Sequence, residues 1–337
     1  MKKINAYAAH SENGKLSPFE YSLADLGPEQ VEIKVNYCGI CHSDLSMLAN
    51  DWGVTSYPFV PGHEVVGTIV AKGEQVKGLD IGDEVGLGWF SESCLQCNLC
   101  LSGQHNLCSQ PEQTIVSRHG GFADYVRCHW LWASPIPKGL DTAKLGPMFC
   151  GGITVFNPII QSNVQPTDRV GVIGVGGLGH LAIQFLNKWG CEVTAFTSSS
   201  NKSDEAISMG AHHIVNSRDE DALNKELGSL DFIINTTNVN LNWEGYINAL
   251  KPNGRLHTVG VVPDPIPVPA FPIIVGQKSI AGSPLGSPAT INQMLEFCNR
   301  HTILPVTEEF PMSDINDAFD HLKAGKARYR IVLKSDF

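Results

Sequence analysis

Several features are scarce in this 337-residue chain. No apolar run reaches the ~18 residues that a membrane-spanning helix needs. Lysine and arginine total 24 against 34 aspartate and glutamate residues, and a formal net charge of −10 argues against a nucleic-acid partner, which would need a basic face. The amino-terminal stretch "MKKINAYAAHSENG" turns polar too soon for a secretory leader. These absences predict a cytoplasmic protein with neither a membrane nor a nucleic-acid partner.

Length and patterning predict two domains, because 337 residues exceed what one hydrophobic core usually supports. Up to about Pro147 the chain carries short β-like runs such as "QVEIKVNYCGI" and "GFADYVRC", which favour a barrel-like all-β unit. From about Cys150 strands and helices alternate, which indicates a doubly wound parallel sheet. The Pro-rich "VVPDPIPVPAFP" is expected to be a structured loop or an edge segment. After about Gly286 the final segments return to the first domain. We therefore expect one discontinuous domain of residues 1–152 and 287–337, and a dinucleotide-binding domain of residues 153–286.

Four of the ten cysteines crowd into one short loop. They are Cys94, Cys97, Cys100 and Cys108, in the pattern C-x2-C-x2-C-x7-C. In a reducing compartment such thiols are metal ligands or free thiols rather than disulfides. The short spacings let a turn gather the sulfurs around one ion, as in a closed structural zinc site. Free surface thiols and a nucleic-acid-binding zinc ribbon are weaker alternatives, because free cysteines are usually dispersed and buried and no basic patch accompanies the loop. The spacing alone is also compatible with an iron–sulfur cluster.

A glycine-rich turn follows the apolar strand "VGVI" and precedes a helical pattern. Gly174, Gly176 and Gly179 form G-x-G-x-x-G in this context. The first glycine permits the turn, the second lets the backbone approach a pyrophosphate, and the third allows close helix–strand packing. A purely structural turn is the alternative, but the strand–turn–helix context favours dinucleotide binding.

The end of the next strand indicates which dinucleotide binds. NAD sites usually place a carboxylate about 20 residues on, to accept from the ribose 2′-hydroxyl. Here the sequence reads "TSSSNK", that is Thr197, Ser198, Ser199, Ser200, Asn201 and Lys202, with no carboxylate. Hydroxyls and a lysine suit a 2′-phosphate, so the sequence predicts NADP(H). A polar cap on the following helix is the alternative explanation of these residues.

The motifs together resemble a known family. "YCGICHSDLSM", "YPFVPGHEVVGTIV", the four-cysteine loop, "FCGGITVF" and "GVGGLGHLAIQF" are similar, in this order, to the zinc-dependent medium-chain dehydrogenases. Within that family they resemble the cinnamyl-alcohol-dehydrogenase-like branch and its bacterial broad-specificity aldehyde reductases. The resemblance implies a GroES-like β-barrel catalytic domain interrupted by a Rossmann domain. It also implies a homodimer formed through the Rossmann domains, with "VPAFPIIVGQKSIAG" as the contact segment.

The same resemblance implies the roles of residues that lie far apart in the chain. Cys41, His63 and Cys150 correspond to the ligands of a catalytic zinc, and Glu64 corresponds to an occasional fourth ligand. Asp44 corresponds to the carboxylate that orients the ligand histidine. Read without the resemblance, His63 would be a core histidine and Cys150 a buried structural thiol. Two zinc ions per chain are therefore expected.

The implied reaction is hydride transfer between NADPH and aldehydes or primary alcohols, with zinc as the Lewis acid. Ser43 would pass a proton between the substrate oxygen and the cofactor ribose, and Ser46 stands where plant relatives continue the relay with a histidine. Trp52 and Trp89 would line an apolar slot for aromatic and medium-chain aliphatic substrates, with ordinary barrel core as the alternative. Further cofactor contacts are predicted for Thr154, Gly177, Leu178, Val259 and Ser283.

Other functions fit the sequence less well. A polyol or secondary-alcohol dehydrogenase of the same superfamily would be expected to have a polar pocket and an NAD-type acid. A non-catalytic relative would be expected to lose zinc ligands, and here all three positions are filled. The remaining cysteines are expected to act as small hydrophobic residues; they are Cys38, Cys128, Cys191 and Cys298.

Overall fold

The computed structural model describes residues 1–337, apart from the side chain of Ser200. The chain divides into a first unit, Met1–Cys150 with Gly286–Phe337, and a second unit, Gly151–Leu285. Among the described residues, no helix combines the length and the apolar character needed to cross a membrane.

In the described part of the chain, the two units contain seventeen strands and ten α-helices, besides short 3-10 turns. The strands are β1 Lys2–Ala8, β2 Ser17–Leu23, β3 Gln30–Ile40, β4 Val65–Lys72, β5 Glu84–Leu87, β6 Phe90–Glu92, β7 Glu112–Gln113, β8 Tyr125–His129, β9 Ser134–Pro135, β10 Arg169–Ile173, β11 Glu192–Thr197, β12 His213–Asn216, β13 Leu230–Asn235, β14 Leu250–Thr258, β15 Ser279–Gly282, β16 Thr307–Pro311 and β17 Arg330–Lys334. The helices are α1 His42–Leu48, α2 Asn98–Leu101, α3 Gly151–Gln161, α4 Gly179–Trp189, α5 Ser203–Ser208, α6 Glu220–Asn224, α7 Trp243–Ala249, α8 Ala270–Gly276, α9 Pro288–His301 and α10 Ile315–Lys323.

The first unit is organised around the long strand β3. A seven-stranded sheet runs in the order β16-β17-β3-β4-β5-β9, and β8 also pairs with β3. Antiparallel ladders join β3 to β4, to β17 at Ile40↔Ile331 and to β8 at Lys34↔Tyr125. The apolar side chains of β3 alternate into the core, where Val31, Ile33 and Val35 are buried. This pairing brings the carboxyl end of β3 beside the start of β4 and the start of β17.

The second unit is a six-stranded parallel sheet with helices between its strands. Its order is β12-β11-β10-β13-β14-β15, and every pairing is parallel. Strands β11 and β12 follow β10 on one side of it, and β13, β14 and β15 follow on the other side. The strand order therefore reverses between β10 and β13. Ligands in such sheets bind at the carboxyl ends of the strands next to this reversal. The doubly wound parallel sheet expected from the sequence is confirmed.

Four helices of the second unit were not predicted from the sequence pattern: α3, α6, α7 and α8. Nearly all residues of α3 are buried, so its sequence lacks the polar stripe that marks a surface helix. Helix α8 begins after Pro269 and carries Pro272 in its first turn, where the missing N–H has no partner to lose. The Pro-rich segment expected to be a loop or an edge segment therefore runs into a helix.

Candidate active site

Four side chains with metal-ligating atoms converge at the end of β3. Cys41 follows β3 and begins α1, while His63 and Glu64 directly precede β4. Cys150 follows the short helical turn at residues 146–149. One ligand atom from each of Cys41, His63, Glu64 and Cys150 lies within 4.8 Å of all the others. Residues separated by up to 109 positions are thus brought together by the β3–β4 pairing and that turn.

Asp44 organises this cluster. Its buried carboxylate accepts the backbone N–H of Cys41 at 2.9 Å and the backbone N–H of Gly62 at 2.9 Å. The same carboxylate lies 3.0 Å from Nδ1 of His63. Because a carboxylate only accepts, Nδ1 must carry a proton, and Nε2 is the ring nitrogen left available to a metal ion.

The donor atoms have the arrangement that a metal requires. His63 Nε2 and Glu64 Oε2 are buried and have no hydrogen-bond partner among the described residues. The sulfurs of Cys41 and Cys150 are 3.9 Å apart, which is far longer than a disulfide bond of about 2.05 Å. The hydrogen bond between them lowers the pKa of Cys41 well below its ordinary value, which favours the thiolate that binds metals. Two sulfurs and one imidazole nitrogen form a three-ligand set typical of catalytic zinc.

Glu64 has a partner that the sequence did not reveal. Its Oε1 forms a short ion pair with Arg330 Nη2, and both side chains are buried. Arg330 begins β17, next to the end of β3, and also lies 3.4 Å from the carbonyl of Ile40. Burial raises the pKa of Glu64 to about 7. An arginine directly before the apolar run "IVL" was the only sequence signal for this pair.

Two indole rings lie beside the donor cluster. The ring of Trp89 meets His63 edge-on at 5.0 Å, and Trp52 meets Trp89 at 5.9 Å. Trp52 is 41% exposed, so it is not a core residue of the sheet. Ser43 Oγ lies 3.7 Å from Cys41 Sγ, which places a hydroxyl beside the donor cluster. Ser46 lies on the same helix and is half-buried.

The four-cysteine loop forms a second cluster in the first unit. The sulfurs of Cys94, Cys97, Cys100 and Cys108 all lie within 4.8 Å of one another. Backbone N–H groups donate to these sulfurs, from Cys100 to Cys97 at 3.5 Å and from Cys94 to Cys108 at 3.4 Å. Backbone hydrogen bonds from Gln96 and Cys97 lower the pKa of Cys94 to about 6. Four sulfurs at these separations suit one tetrahedral ion and leave no position for a substrate.

The other cysteines are isolated within the packed interior. Cys38, Cys128, Cys191 and Cys298 are free and at most 3% exposed. Burial raises the pKa of Cys128, Cys191 and Cys298 to about 12, so these thiols are protonated and unreactive.

The glycine turn lies at the carboxyl end of β10, beside the reversal of the sheet. Gly174 has a φ of +91°, which favours glycine, and a Cβ on Gly179 would lie 1.8 Å from the Gly174 carbonyl oxygen. A Cβ on Gly176 would meet nothing within 4 Å, so the backbone there faces open space. Gly177 and Leu178 complete the turn before α4. This geometry can hold a pyrophosphate at the amino end of the helix.

The predicted 2′-phosphate residues follow β11. Ser199 N–H donates to Thr197 Oγ1 at 3.2 Å, while Ser198 is exposed. Lys202 Nζ lies 2.9 Å from the carbonyl of Val175, which is part of the glycine turn. The ammonium group is therefore beside the candidate pyrophosphate position rather than only at the start of α5. The side chain of Ser200 lies outside the described residues.

The remaining predicted cofactor residues lie in the same unit. Thr154 is half-buried on α3, Val259 follows β14, and Ser283 follows β15. The carboxyl ends of β14 and β15 are adjacent, with Thr258 paired to Gly282. Val259 and Ser283 thus stand at one edge of the sheet, on the opposite side of β10 from Thr197.

A buried thiolate–imidazole cluster and a glycine turn on a doubly wound sheet together define a metal-dependent, dinucleotide-linked oxidoreductase. Comparison with known proteins agrees. The alcohol dehydrogenase GroES-like domain family matches residues 27–138, and the zinc-binding dehydrogenase family matches residues 177–300. The chain belongs to the zinc-dependent medium-chain alcohol dehydrogenases, in their cinnamyl-alcohol-dehydrogenase-like branch. Its activity is that of an alcohol dehydrogenase or aldehyde reductase.

Individual relatives cover nearly the whole chain. Aldehyde reductase AdhA of Synechocystis is 55% identical over 98% of this chain and 98% of its own. The structure of a Sorghum bicolor cinnamyl alcohol dehydrogenase is similar with a TM-score of 0.94 and 35% identity, over 99% of this chain and 98% of that chain. The structure of the Helicobacter pylori enzyme complexed with NADP(H) has a TM-score of 0.90 and 31% identity, over 98% of each chain.

The Asp44→Asn variant should bind metal more weakly at the Cys41 cluster. The asparagine amide has only one acceptor oxygen, and its N–H₂ would face groups that are themselves donors. The imidazole of His63 would therefore lose its hydrogen-bond acceptor and its fixed orientation. A loss of about 10- to 100-fold in zinc affinity is expected, measured by competition with a chromophoric chelator. Asp51→Asn, an exposed carboxylate just beyond α1, is the matched control and should leave zinc affinity unchanged. Equal zinc affinity in the Asp44 variant and the wild type would contradict the orienting role.

Proposed function

We propose that this protein is a zinc-dependent reductase that uses NADPH to convert aldehydes to primary alcohols. The observation that carries the proposal is the cluster of Cys41, His63 and Cys150, in which Nε2 of His63 is buried and has no hydrogen-bond partner among the described residues. Two relatives support it: the Synechocystis protein is named an aldehyde reductase, and the Helicobacter pylori enzyme was solved with NADP(H). A panel of aldehydes, alcohols and polyols, assayed with NADPH and NADH and with zinc measured on the same sample, tests it.

Cys41, His63 and Cys150 would hold the catalytic zinc, with Glu64 able to approach as a fourth ligand. Bound zinc supplies Lewis-acid polarisation of a carbonyl group, and the reduced nicotinamide supplies the hydride. Asp44 keeps the His63 ring in the tautomer that exposes Nε2. Ser43 Oγ, 3.7 Å from Cys41 Sγ, would move the proton to the substrate oxygen. Full turnover by a zinc-replete Ser43→Ala variant would contradict this proton route.

Aromatic and medium-chain aliphatic aldehydes are the proposed substrates. The indole of Trp89 meets the His63 ring edge-on, and the indole of Trp52 packs against Trp89. Each indole ring offers a large apolar surface against which a substrate can pack, and only one polar group, its N–H. A polyol carries a hydroxyl on every carbon and would need a polar partner for each, so polyols should be poor substrates. Efficient polyol oxidation in the panel would replace this proposal with the alternative of a polyol dehydrogenase.

We propose a second, structural zinc at Cys94, Cys97, Cys100 and Cys108, which gives two zinc ions per chain. The two sites should respond differently to the loss of a ligand. Cys41→Ser should abolish turnover and lose one zinc while the chain stays folded. Cys94→Ser should lose the other zinc and unfold or aggregate at a lower temperature, because a closed site contributes folding free energy.

Elemental analysis and thermal unfolding of the same samples measure both effects. Cys191→Ala, which alters a cysteine outside both clusters, is the control and should keep both ions. One zinc ion per fully active chain would contradict the two-site proposal.

The preference for NADPH should depend on Lys202. Its ammonium group lies 2.9 Å from the Val175 carbonyl in the glycine turn, and we propose that it contacts the 2′-phosphate of the bound cofactor. Lys202→Ala should raise the Michaelis constant for NADPH by roughly 10- to 100-fold, with less change for NADH, because a charge-assisted contact is lost. Ser198→Asp should act in the same direction by repelling the phosphate. Lys188→Ala, on the exposed side of α4, is the control and should change neither constant. Equal catalytic efficiency of the wild type with both cofactors would rule out the preference.

We further propose a homodimer formed through α8 and β15. Phe271, Ile274 and Val275 on α8 are 76%, 73% and 69% exposed, an apolar cluster that water does not favour. Next to it, β15 is an edge strand of the parallel sheet and can pair with a second copy. Sedimentation velocity measures the assembly, and a monomer at micromolar concentration would contradict it.

A further inference from the structure

A short segment at the carboxyl edge of the second unit is held by two buried side chains. Residues 283–285 come directly after β15, which has four residues and lies at the edge of the sheet. His257 Nε2 lies 3.0 Å from Ser283 Oγ, and Asn157 Nδ2 donates to the Leu285 carbonyl at 2.6 Å. His257 and Asn157 are only 2% and 3% exposed, so both are anchored in the core.

The backbone of this segment needs such support. Leu285 has a φ of +41°, a region that branched residues rarely adopt without external restraint. An edge strand as short as β15 offers few ladder hydrogen bonds to hold the residues after it. The two side chains come from different elements, since Asn157 lies on α3 and His257 lies on β14. The segment is therefore held at two points, by a side chain from each of these two elements.

The position of the segment indicates what it would contact. The adenosine end of a dinucleotide would lie near Thr197 and Lys202, after β11, and its pyrophosphate would lie on the turn after β10. A dinucleotide crosses the carboxyl edge at the reversal of the sheet, so its other half must continue toward the ends of β13, β14 and β15. The segment after β15 lies on that path.

We propose that His257 and Asn157 are positioning residues for the nicotinamide half of the cofactor, because they fix the 283–285 segment against which that half binds. The inference rests on the proposed function only in requiring that a nicotinamide dinucleotide binds. Neither residue touches the cofactor itself. Each acts by fixing a group of the segment, the Ser283 hydroxyl for His257 and the Leu285 carbonyl for Asn157.

The chemistry of His257 suits a permanent support. Burial lowers its pKa to about 4, so the ring is neutral near pH 7. A neutral imidazole donates from one nitrogen and accepts at the other. Ser283 Oγ lies 3.0 Å from Nε2 and Ser162 Oγ lies 3.5 Å from Nδ1, so the two hydroxyls can satisfy both roles. The positive charge of Arg255 also lowers the pKa of His257. The support should therefore not weaken across the neutral pH range.

Binding of whole and half cofactors tests the proposal. Dissociation constants for NADP⁺ and for adenosine 2′,5′-bisphosphate would be measured by calorimetry on the zinc-replete protein. His257→Leu and Asn157→Leu should each weaken NADP⁺ by roughly 3- to 10-fold, the effect of losing one hydrogen bond. Both variants should bind adenosine 2′,5′-bisphosphate within about twofold of the wild type, since the adenosine half does not reach the segment. His213→Leu, on β12 of the same sheet, is the control and should change neither constant.

A double-mutant cycle separates positioning from a general loss of structure. If His257 acts through Ser283, the two substitutions should not add. The double variant His257→Leu/Ser283→Ala should then have the same dissociation constant for NADP⁺ as whichever single variant binds NADP⁺ less tightly. His257→Gln, which can return an N–H to the same place, should recover part of the loss.

Equal weakening of NADP⁺ and adenosine 2′,5′-bisphosphate, or unchanged NADP⁺ binding in both leucine variants, would overturn the proposal. Parallel titrations with NAD⁺ and 5′-AMP keep it distinct from cofactor choice. A wild type that prefers NAD⁺ would overturn the proposed preference for NADPH but not the role of His257. In that case the ratio of the NAD⁺ affinity to the 5′-AMP affinity, compared between wild type and variant, would still measure the effect of His257.

Discussion

The carboxylate of Asp44 is the constraint on which the rest of the first unit's site depends. It binds the backbone at Cys41 and at Gly62, which belong to the two chain segments that the β3–β4 pairing brings together. Through the His63 ring it also decides which nitrogen faces the thiols. A buried carboxylate is costly to desolvate, and three N–H groups offset that cost. One side chain therefore determines both the local backbone geometry and the direction in which Nε2 of the imidazole points.

The two cysteine clusters differ in what surrounds their sulfurs. Around Cys94 and its partners, backbone N–H groups donate to sulfur, so the loop itself stabilises negative charge. Around Cys41 and Cys150, the neighbours are a carboxylate-bound histidine and the Glu64–Arg330 ion pair. A doubly charged cation would neutralise two thiolates, and Arg330 already neutralises Glu64. The first arrangement suits a closed site that holds the fold, whereas the second leaves one carboxylate oxygen unsatisfied next to the thiols.

Features confined to one stretch of sequence could be predicted, and features that depend on long-range pairing could not. The four-cysteine loop and the glycine turn are local, and their geometry is set by spacing and strand–turn–helix context. Cys41, His63 and Cys150 could be connected only through resemblance to a family, because sheet pairing and a turn bring them together. The Arg330–Glu64 pair depends on β17 lying beside β3, and no local pattern encodes that pairing. Helix α3 was missed because a helix buried on nearly all sides loses its periodic polar face.

Selectivity in such a site depends on the balance of polar and apolar groups near the histidine. A pocket rejects a substrate strongly when its own buried polar groups would be left without partners. The indoles of Trp89 and Trp52 present aromatic surface to the region beside His63, and the Ser43 hydroxyl lies 3.7 Å from the Cys41 sulfur. An apolar wall distinguishes substrates by only about 1–3 kcal/mol for each methylene group, so it sorts them by size and shape. Broad acceptance of apolar aldehydes is therefore the expected consequence of this wall, and a narrow preference would require polar groups beyond those that surround His63 in the first unit.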